Sequence, residues 1–252
     1  MLPNTLYALR RRSFAELLHV MKCKGRHIDS TKLLSFVRSV ARGLQYLHAR
    51  GILHRDVKPG NCFVGAHQVL KLGDLGHSCY VHTGGLELLP PSPETPEALQ
   101  WGPSTPEFAA PETWHPLRLP RPLDVQRVLK ADVYSFGALV WQTCMLRNPY
   151  DDLGAARRTR LLVRTMFFEV MFPAAVALLI IQALHSARQY EALRLPRVQA
   201  PPGGVKHTVH LYEHLGRLVE RCMQVDPEAR PSMNDVVMEL NELSGELRRQ
   251  RT

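Results

Sequence analysis

Residues 54–61 read His-Arg-Asp-Val-Lys-Pro-Gly-Asn, and Asp74-Leu75-Gly76 follows downstream. The polar side chains in these stretches differ in kind, and each suits a separate task around a phosphate. A carboxylate at Asp56 can orient a hydroxyl and accept its proton. An ammonium at Lys58 can offset negative charge building on phosphoryl oxygens. Amide and carboxylate oxygens at Asn61 and Asp74 are the hard donors that a divalent cation such as Mg²⁺ takes. A lone Asp or Lys after a helix would carry no such meaning; the types and their order together point to phosphoryl transfer.

These residues need a frame. Leu6, Leu9, Phe14, Leu17, Leu18 and Met21 recur at roughly helical spacing, which predicts a helix over 4–22 that ends at Lys24-Gly25-Arg26. Asp29-Ser30 is a second start signal. Leu33, Leu34, Val37, Val40, Ala41, Leu44 and Leu47 then keep one apolar stripe as far as His48, with Gly51 as the stop. Cys62–Val64 and Val69–Leu72 flank Gly65-Ala66-His67-Gln68 and read as a β-hairpin. The Pro-, Gly-, Ser- and Thr-rich stretch 84–106 reads as a long surface loop. Further helices are expected at about 130–147, 155–188, 210–224 and 232–247, the last opened by a Ser232/Asp235 capping pair, with a turn at Pro201-Pro202-Gly203-Gly204.

Residues 54–61 match the pattern His-Arg-Asp-x-Lys-x-x-Asn, and with Asp74-Leu75-Gly76 they resemble the catalytic and metal-binding loops of protein kinases. Ser104-Thr105-Pro106-Glu107-Phe108-Ala109-Ala110-Pro111-Glu112 is similar to that family's substrate-side loop ending in Ala-Pro-Glu. Asp132-Val133-Tyr134-Ser135-Phe136-Gly137 resembles the start of its large buried helix, and Asp226-Pro227-Glu228-Ala229-Arg230-Pro231 its closing motif.

The resemblance covers about residues 4–245 and implies a mainly α fold: a protein kinase-like C-terminal lobe with a small β-hairpin near the catalytic loop. The whole chain, 1–252, is then one catalytic domain with its activation segment at 74–112. The implied activity is transfer of the ATP γ-phosphate to protein Ser or Thr hydroxyls with Mg²⁺ (or Mn²⁺). Asp56 and Lys58 would be catalytic, Lys58, Asn61 and Asp74 would contact the nucleotide, and Asn61 and Asp74 would hold metal.

By the same resemblance His54 would be a packed structural residue, and Arg55 would pair with a phosphorylated loop residue, a carboxylate or backbone oxygens. Asp132 would accept backbone hydrogen bonds from the catalytic loop, and Arg230 would pair with Glu112. Trp141 would sit in the core, and Leu75, where Phe is commoner, is an apolar side chain that can still pack there and does not mark inactivation. Lys58 and Thr105 together favour Ser/Thr over Tyr substrates, and Trp141 with the 132–141 and 226–233 segments leans toward the tyrosine-kinase-like group of serine/threonine kinases. Ser92, Thr95 and Ser104 are candidate phosphosites.

Composition fits this reading. Apolar content of 45% and charged content of 22% are those of a globular protein. Cys23, Cys62, Cys79, Cys144 and Cys222 are widely spaced with no Cys-x-x-Cys pair, which argues for reduced thiols in an intracellular, cytoplasmic setting. No signal peptide is visible. The net charge of +9 is concentrated early, residues 1–60 holding twelve Arg/Lys against three Asp/Glu, yet no nucleic-acid motif accompanies it.

A hydrophobic insertion at about 153–190 exceeds what the family needs, and Val170–Ala187 lacks any Asp, Glu, Lys or Arg. We expect a buried or partner-docking helix there. A membrane span would set Glu112 and Arg230 on opposite sides. No Gly-x-Gly-x-x-Gly and no Val-Ala-x-Lys strand occurs in the sequence, so the glycine-rich nucleotide lobe is expected to be missing and activity from these residues alone to be weak. The alternative is a non-catalytic, pseudokinase-like scaffold or interaction module.

Overall fold

The computed structural model describes residues 13–65, 69–82, 85–88, 105–114, 124–151 and 195–249. Helix α1 (Phe14–Cys23) opens at Ser13, whose hydroxyl accepts from the Glu16 amide. The expected start at residue 4 falls among residues 1–12, outside the described part. Ser13 with Glu16 three residues on is a capping signal that apolar spacing alone does not show.

Helix α2 (Ser30–His48) starts where expected, with the Asp29 carboxylate accepting from the amides of Thr31 and Lys32. Its stripe from Leu33 to Leu47 is buried. Gly51, at φ 67°, turns the chain out of the helix in a conformation that favours glycine.

Strand β1 (Ile52–Leu53) precedes residues 54–61, and the expected hairpin follows them. In that hairpin β2 (Cys62–Val64) and β3 (Leu70–Leu72) pair antiparallel, Cys62 opposite Leu72. A second sheet was not expected. β4 (Cys79–His82) lies between β1 and β5 (Gly85–Leu88), both antiparallel to it. Residues 85–88 are therefore strand rather than part of a loop over 84–106, and 89–104 lie outside the described residues. Cys79 and Val81 are buried while Tyr80 and His82 are exposed; this two-residue period is the mark of a half-buried strand.

Helix α3 (Val125–Met145) begins earlier than the expected 130, because Asp124 caps it by accepting from Gln126 and Arg127 amides. Helix α4 (Lys206–Cys222) follows the Pro201–Gly204 turn, closed by the Gly204 amide on the Pro201 carbonyl at 3.1 Å. Helix α5 (Met233–Arg249) opens as expected: Ser232 N donates to Asp235 Oδ2 at 2.9 Å, and Asp235 N returns to Ser232 Oγ at 3.2 Å.

The main core is shared by α2, α3, α4 and α5, with Phe36, Leu44, Phe136, Leu215 and Leu240 fully or almost fully buried. Trp141 joins it at 1% exposure, its indole N–H donating to the Pro196 carbonyl at 2.6 Å. α3 and α4 touch so closely at Gly137 that an added Cβ would lie 2.8 Å from Met223 Cγ and 2.9 Å from Cys222 Cβ. The helix expected over 155–188, and with it the 153–190 insertion, lies outside the described residues. Among the described residues no helix is long and apolar enough to cross a membrane.

Candidate active site

The turn between β1 and β2 is built around one buried carboxylate. Asp132, in the second turn of α3, is 1% exposed and accepts from His54 N at 2.7 Å and Arg55 N at 2.9 Å. His48, the last residue of α2, donates from Nε2 to Asp132 Oδ2 at 3.0 Å. Burial alone would raise the Asp132 carboxyl, but the His48 hydrogen bond, the charges of His48 and His54 and the His54 amide hold it below the ordinary 3.8. An ionised carboxylate so deep in the core persists only because donors surround it. This contact fixes Arg55 at φ 71°, a left-handed conformation that sharply redirects the chain before Asp56. The anchoring role of His48 is not legible from its place at the end of an apolar stripe.

His54 ties the two motif stretches together. Its ring is fully buried, Nε2 donates to the Gly73 carbonyl at 3.1 Å, and Nδ1 accepts from Asp56 N at 3.3 Å. The tautomer with its proton on Nε2 meets both contacts. The Gly73 amide also donates to the Asn61 carbonyl at 2.9 Å. The backbone beside Asp74 is thus held against the loop carrying Asp56 and Asn61.

Asp56 is the centre of the cluster. Its Oδ2 accepts from Asn61 Nδ2 at 2.7 Å and lies 2.7 Å from Lys58 Nζ, while Oδ1 accepts from Thr105 Oγ1 at 2.5 Å. Lys58 Nζ also donates to Thr105 Oγ1 at 2.6 Å. Burial would raise the Asp56 carboxyl; the hydrogen bonds from Lys58, Thr105 and Asn61 outweigh it and keep the carboxylate below the ordinary 3.8. At neutral pH it is a charged acceptor, as a group that orients a hydroxyl must be.

Three of the four sequence-predicted site residues, Asp56, Lys58 and Asn61, therefore converge, joined by Thr105. Asp74 does not enter this hydrogen-bonded cluster. Its exposed carboxylate accepts from the Gly76 amide at 3.4 Å, with its own backbone at φ 60°. Leu75 is 47% exposed, so the expectation that it packs is corrected.

The donor set suits a hard divalent cation. Asn61 spends Nδ2 on the Asp56 carbonyl at 2.8 Å and on its carboxylate, an orientation that leaves Oδ1 accepting no hydrogen bond among the described residues. With the Asp74 carboxylate this makes two oxygen donors on adjacent segments. Among the described residues no group of three or more His, Cys, Asp or Glu is placed to hold a metal. An ion at Asn61 and Asp74 would take its remaining ligands from phosphate or water, as Mg²⁺ commonly does.

The thiols are not part of this chemistry. Burial pushes Cys62, Cys79, Cys144 and Cys222 up to about 12, far from a neutral-pH thiolate.

Thr105 reaches the site on a segment pinned at its far end. Glu112 accepts from Arg230 Nη1 at 2.6 Å and Nη2 at 2.8 Å. Arg230, 2% exposed, also donates to the carbonyls of Gln224, Lys130 and Val225, and Tyr134 presents its ring 5.1 Å away. Every N–H of this guanidinium finds an acceptor. Lys130 in turn donates to the Arg230 carbonyl. Placing Thr105 against Asp56 and Lys58 thus depends on a buried ion pair between segments far apart in sequence.

The protein kinase domain model matches residues 7–240, and the chain belongs to that family. It is 26% identical over 232 residues to the tyrosine-protein kinase transforming protein Fps of avian sarcoma virus (strain PRCII), covering 89% of this chain and 32% of that protein. It is 34% identical over 151 residues to the serine/threonine-protein kinase CTR1 of Arabidopsis thaliana, covering 59% of this chain and 16% of that protein. A protein kinase and PP2C-like domain-containing protein of the same plant is 27% identical over 242 residues, 94% of this chain and 32% of that one. The chain spans at most about a third of the length of these relatives.

Proposed function

We propose that this chain carries the substrate-binding and metal-binding machinery of a serine/threonine protein kinase, which moves the γ-phosphoryl group of ATP to Ser or Thr hydroxyls of proteins. The observation that carries the reading is the Asp56 carboxylate held between Lys58 and Thr105. Relatives of both specificities occur, so family membership alone does not choose between Tyr and Ser/Thr. The Lys58–Thr105–Asp56 contacts favour Ser/Thr, because a compact donor pair beside the carboxylate suits a short alcohol side chain.

In this reading Asp56 orients the incoming hydroxyl and takes its proton as the hydroxyl oxygen bonds to the γ-phosphorus and the bond from that phosphorus to the bridging oxygen breaks, ADP leaving. Lys58 moves its ammonium from Asp56 and Thr105 onto the transferring phosphoryl oxygens, where negative charge is offset at short range. Asn61 through Oδ1 and Asp74 through its carboxylate would hold Mg²⁺ (or Mn²⁺), which when bound neutralises phosphate charge. Asp132, His48 and His54 touch no reacting atom; they fix the backbone that aims Asp56.

The 252 residues contain neither Gly-x-Gly-x-x-Gly nor Val-Ala-x-Lys, so we expect weak transfer from them alone. The test is therefore run on the natural polypeptide that carries them. Radiolabelled γ-phosphate from Mg²⁺·ATP is expected on Ser or Thr of a generic protein acceptor, with Asp56→Asn lowering the rate by at least about a hundredfold. Equal incorporation by both proteins, or labelled Tyr alone, overturns the proposal.

A further inference from the structure

A second cluster of charged groups lies on α2 and α5, built from residues the catalytic reading does not use. Arg38 Nη1 donates to Ser244 Oγ at 2.9 Å and Nη2 to Asn241 Oδ1 at 2.8 Å. Arg42, one turn along α2, donates to the same Asn241 oxygen at 3.2 Å. Two guanidiniums thus converge on one neutral amide oxygen, with no carboxylate within ion-pair distance of either among the described residues.

Like charges held together without an anion are unfavourable, and among the described residues one donor here is unmet: Arg38 Nε is buried with no hydrogen-bond partner there. Burial first, then the charges of Arg42 and Arg248, pull the Arg38 guanidinium below its ordinary value, so Arg248 from the end of α5 shares this field. The α5 dipole accounts for a basic residue in its last turn, but not for Arg38 and Arg42 within α2. Arginine forks with no carboxylate partner suit a tetrahedral oxyanion, which accepts several N–H bonds at once.

We propose that Arg38, Arg42 and Arg248, with Asn241 and Ser244, form a binding site for a phosphate-class dianion, either free or as a phospholipid headgroup. The ligand takes the Nη hydrogens that Ser244 and Asn241 leave over, the buried Arg38 Nε reporting the change through its own guanidinium, and relieves the repulsion between the paired groups. Neither step involves Asp56 or Asp74, so the proposal stands apart from the kinase reading.

The test uses the full chain and inorganic phosphate, with NaCl at matched ionic strength as control. The Arg38 Nε–Hε signal in proton–nitrogen NMR, assigned by its loss in Arg38→Lys, is expected to shift saturably with phosphate and not with chloride. Arg42→Gln combined with Arg248→Gln removes exposed side chains and so spares the fold; it is expected to weaken binding at least about tenfold. Asp56→Asn is expected to leave it unchanged.

Phosphatidylcholine vesicles with and without a phosphoinositide then separate the sources. Flotation that depends on the phosphoinositide and is lost in the double variant assigns a lipid headgroup, and phosphate binding without flotation assigns a free ligand. An Arg38 signal that ignores phosphate, or responds equally in the double variant, overturns the site.

Discussion

Arg230→Lys keeps the charge at a buried position and removes the planar fork. In the folded protein the guanidinium serves both oxygens of Glu112 and the carbonyls of Gln224, Lys130 and Val225. An ammonium has fewer donors and cannot lie in that plane, so at least two of these acceptors lose their partner. A buried acceptor left without a donor costs about 1–3 kcal/mol, and the ammonium retains part of the attraction to Glu112. The expected loss is about 2–4 kcal/mol, within the range for breaking a buried pair from one side.

Urea unfolding followed by circular dichroism should show a lower midpoint at an unchanged slope. The thermal midpoint should fall by about 6–12 °C for a domain of this size. Because Glu112 anchors the segment that delivers Thr105, phosphoryl transfer should fall as well, at temperatures where the variant is still folded. A change below about 1 kcal/mol with the same slope would refute the claim that this fork holds the segment.

Other outcomes follow from single contacts. Gly137→Ala should destabilise the chain by about 1–3 kcal/mol in the same unfolding assay, since its Cβ would overlap Met223 and Cys222. Thr105→Val removes the hydroxyl shared by Asp56 and Lys58, and should lower transfer to Ser and Thr peptides more than it lowers nucleotide affinity, read as a fall in kcat. Asp132 lies below its ordinary value of 3.8 when folded, so its contribution to stability is full above pH 3.8 and disappears as the pH falls below that. Asp132→Asn should therefore be destabilised most at neutral pH, and the gap from wild type should narrow in acid titrations of the unfolding midpoint.

Much of the site can be read from residue order because its members lie close in sequence. Asp56, Lys58 and Asn61 fall on a single turn, and the α2 stripe and the β2–β3 hairpin that frame it are local patterns. Longer-range partners were legible only through the family resemblance. Asp132 beneath residues 54 and 55, Thr105 on Asp56 and Arg230 on Glu112 are contacts whose local spacing is silent. His48 illustrates the limit: periodicity marks it as the end of a stripe, while its function depends on a carboxylate brought in by another helix. Strand β5 and the early start of α3 were obscured for a different reason. Turn-rich composition around 84–106 hides the short run Gly85-Leu86-Glu87-Leu88, and the cap at Asp124 starts α3 one turn early, where Val125, Val128 and Leu129 carry its buried face toward the N-terminus. Leu75 escaped because an apolar residue in a motif gives no sign of whether anything covers it.

The central claim is that Asp56, Lys58, Asn61 and Asp74 act together on a magnesium nucleotide, and Asp74 is the member that stands outside the hydrogen-bonded cluster. Calorimetric titration of ATP into the natural polypeptide, with Mg²⁺ and with chelator, tests this most directly. The account predicts Mg²⁺-dependent binding that Asp74→Asn weakens at least about tenfold, the loss of one charged metal ligand. Affinity that is the same without Mg²⁺, or unchanged by Asp74→Asn, would contradict it.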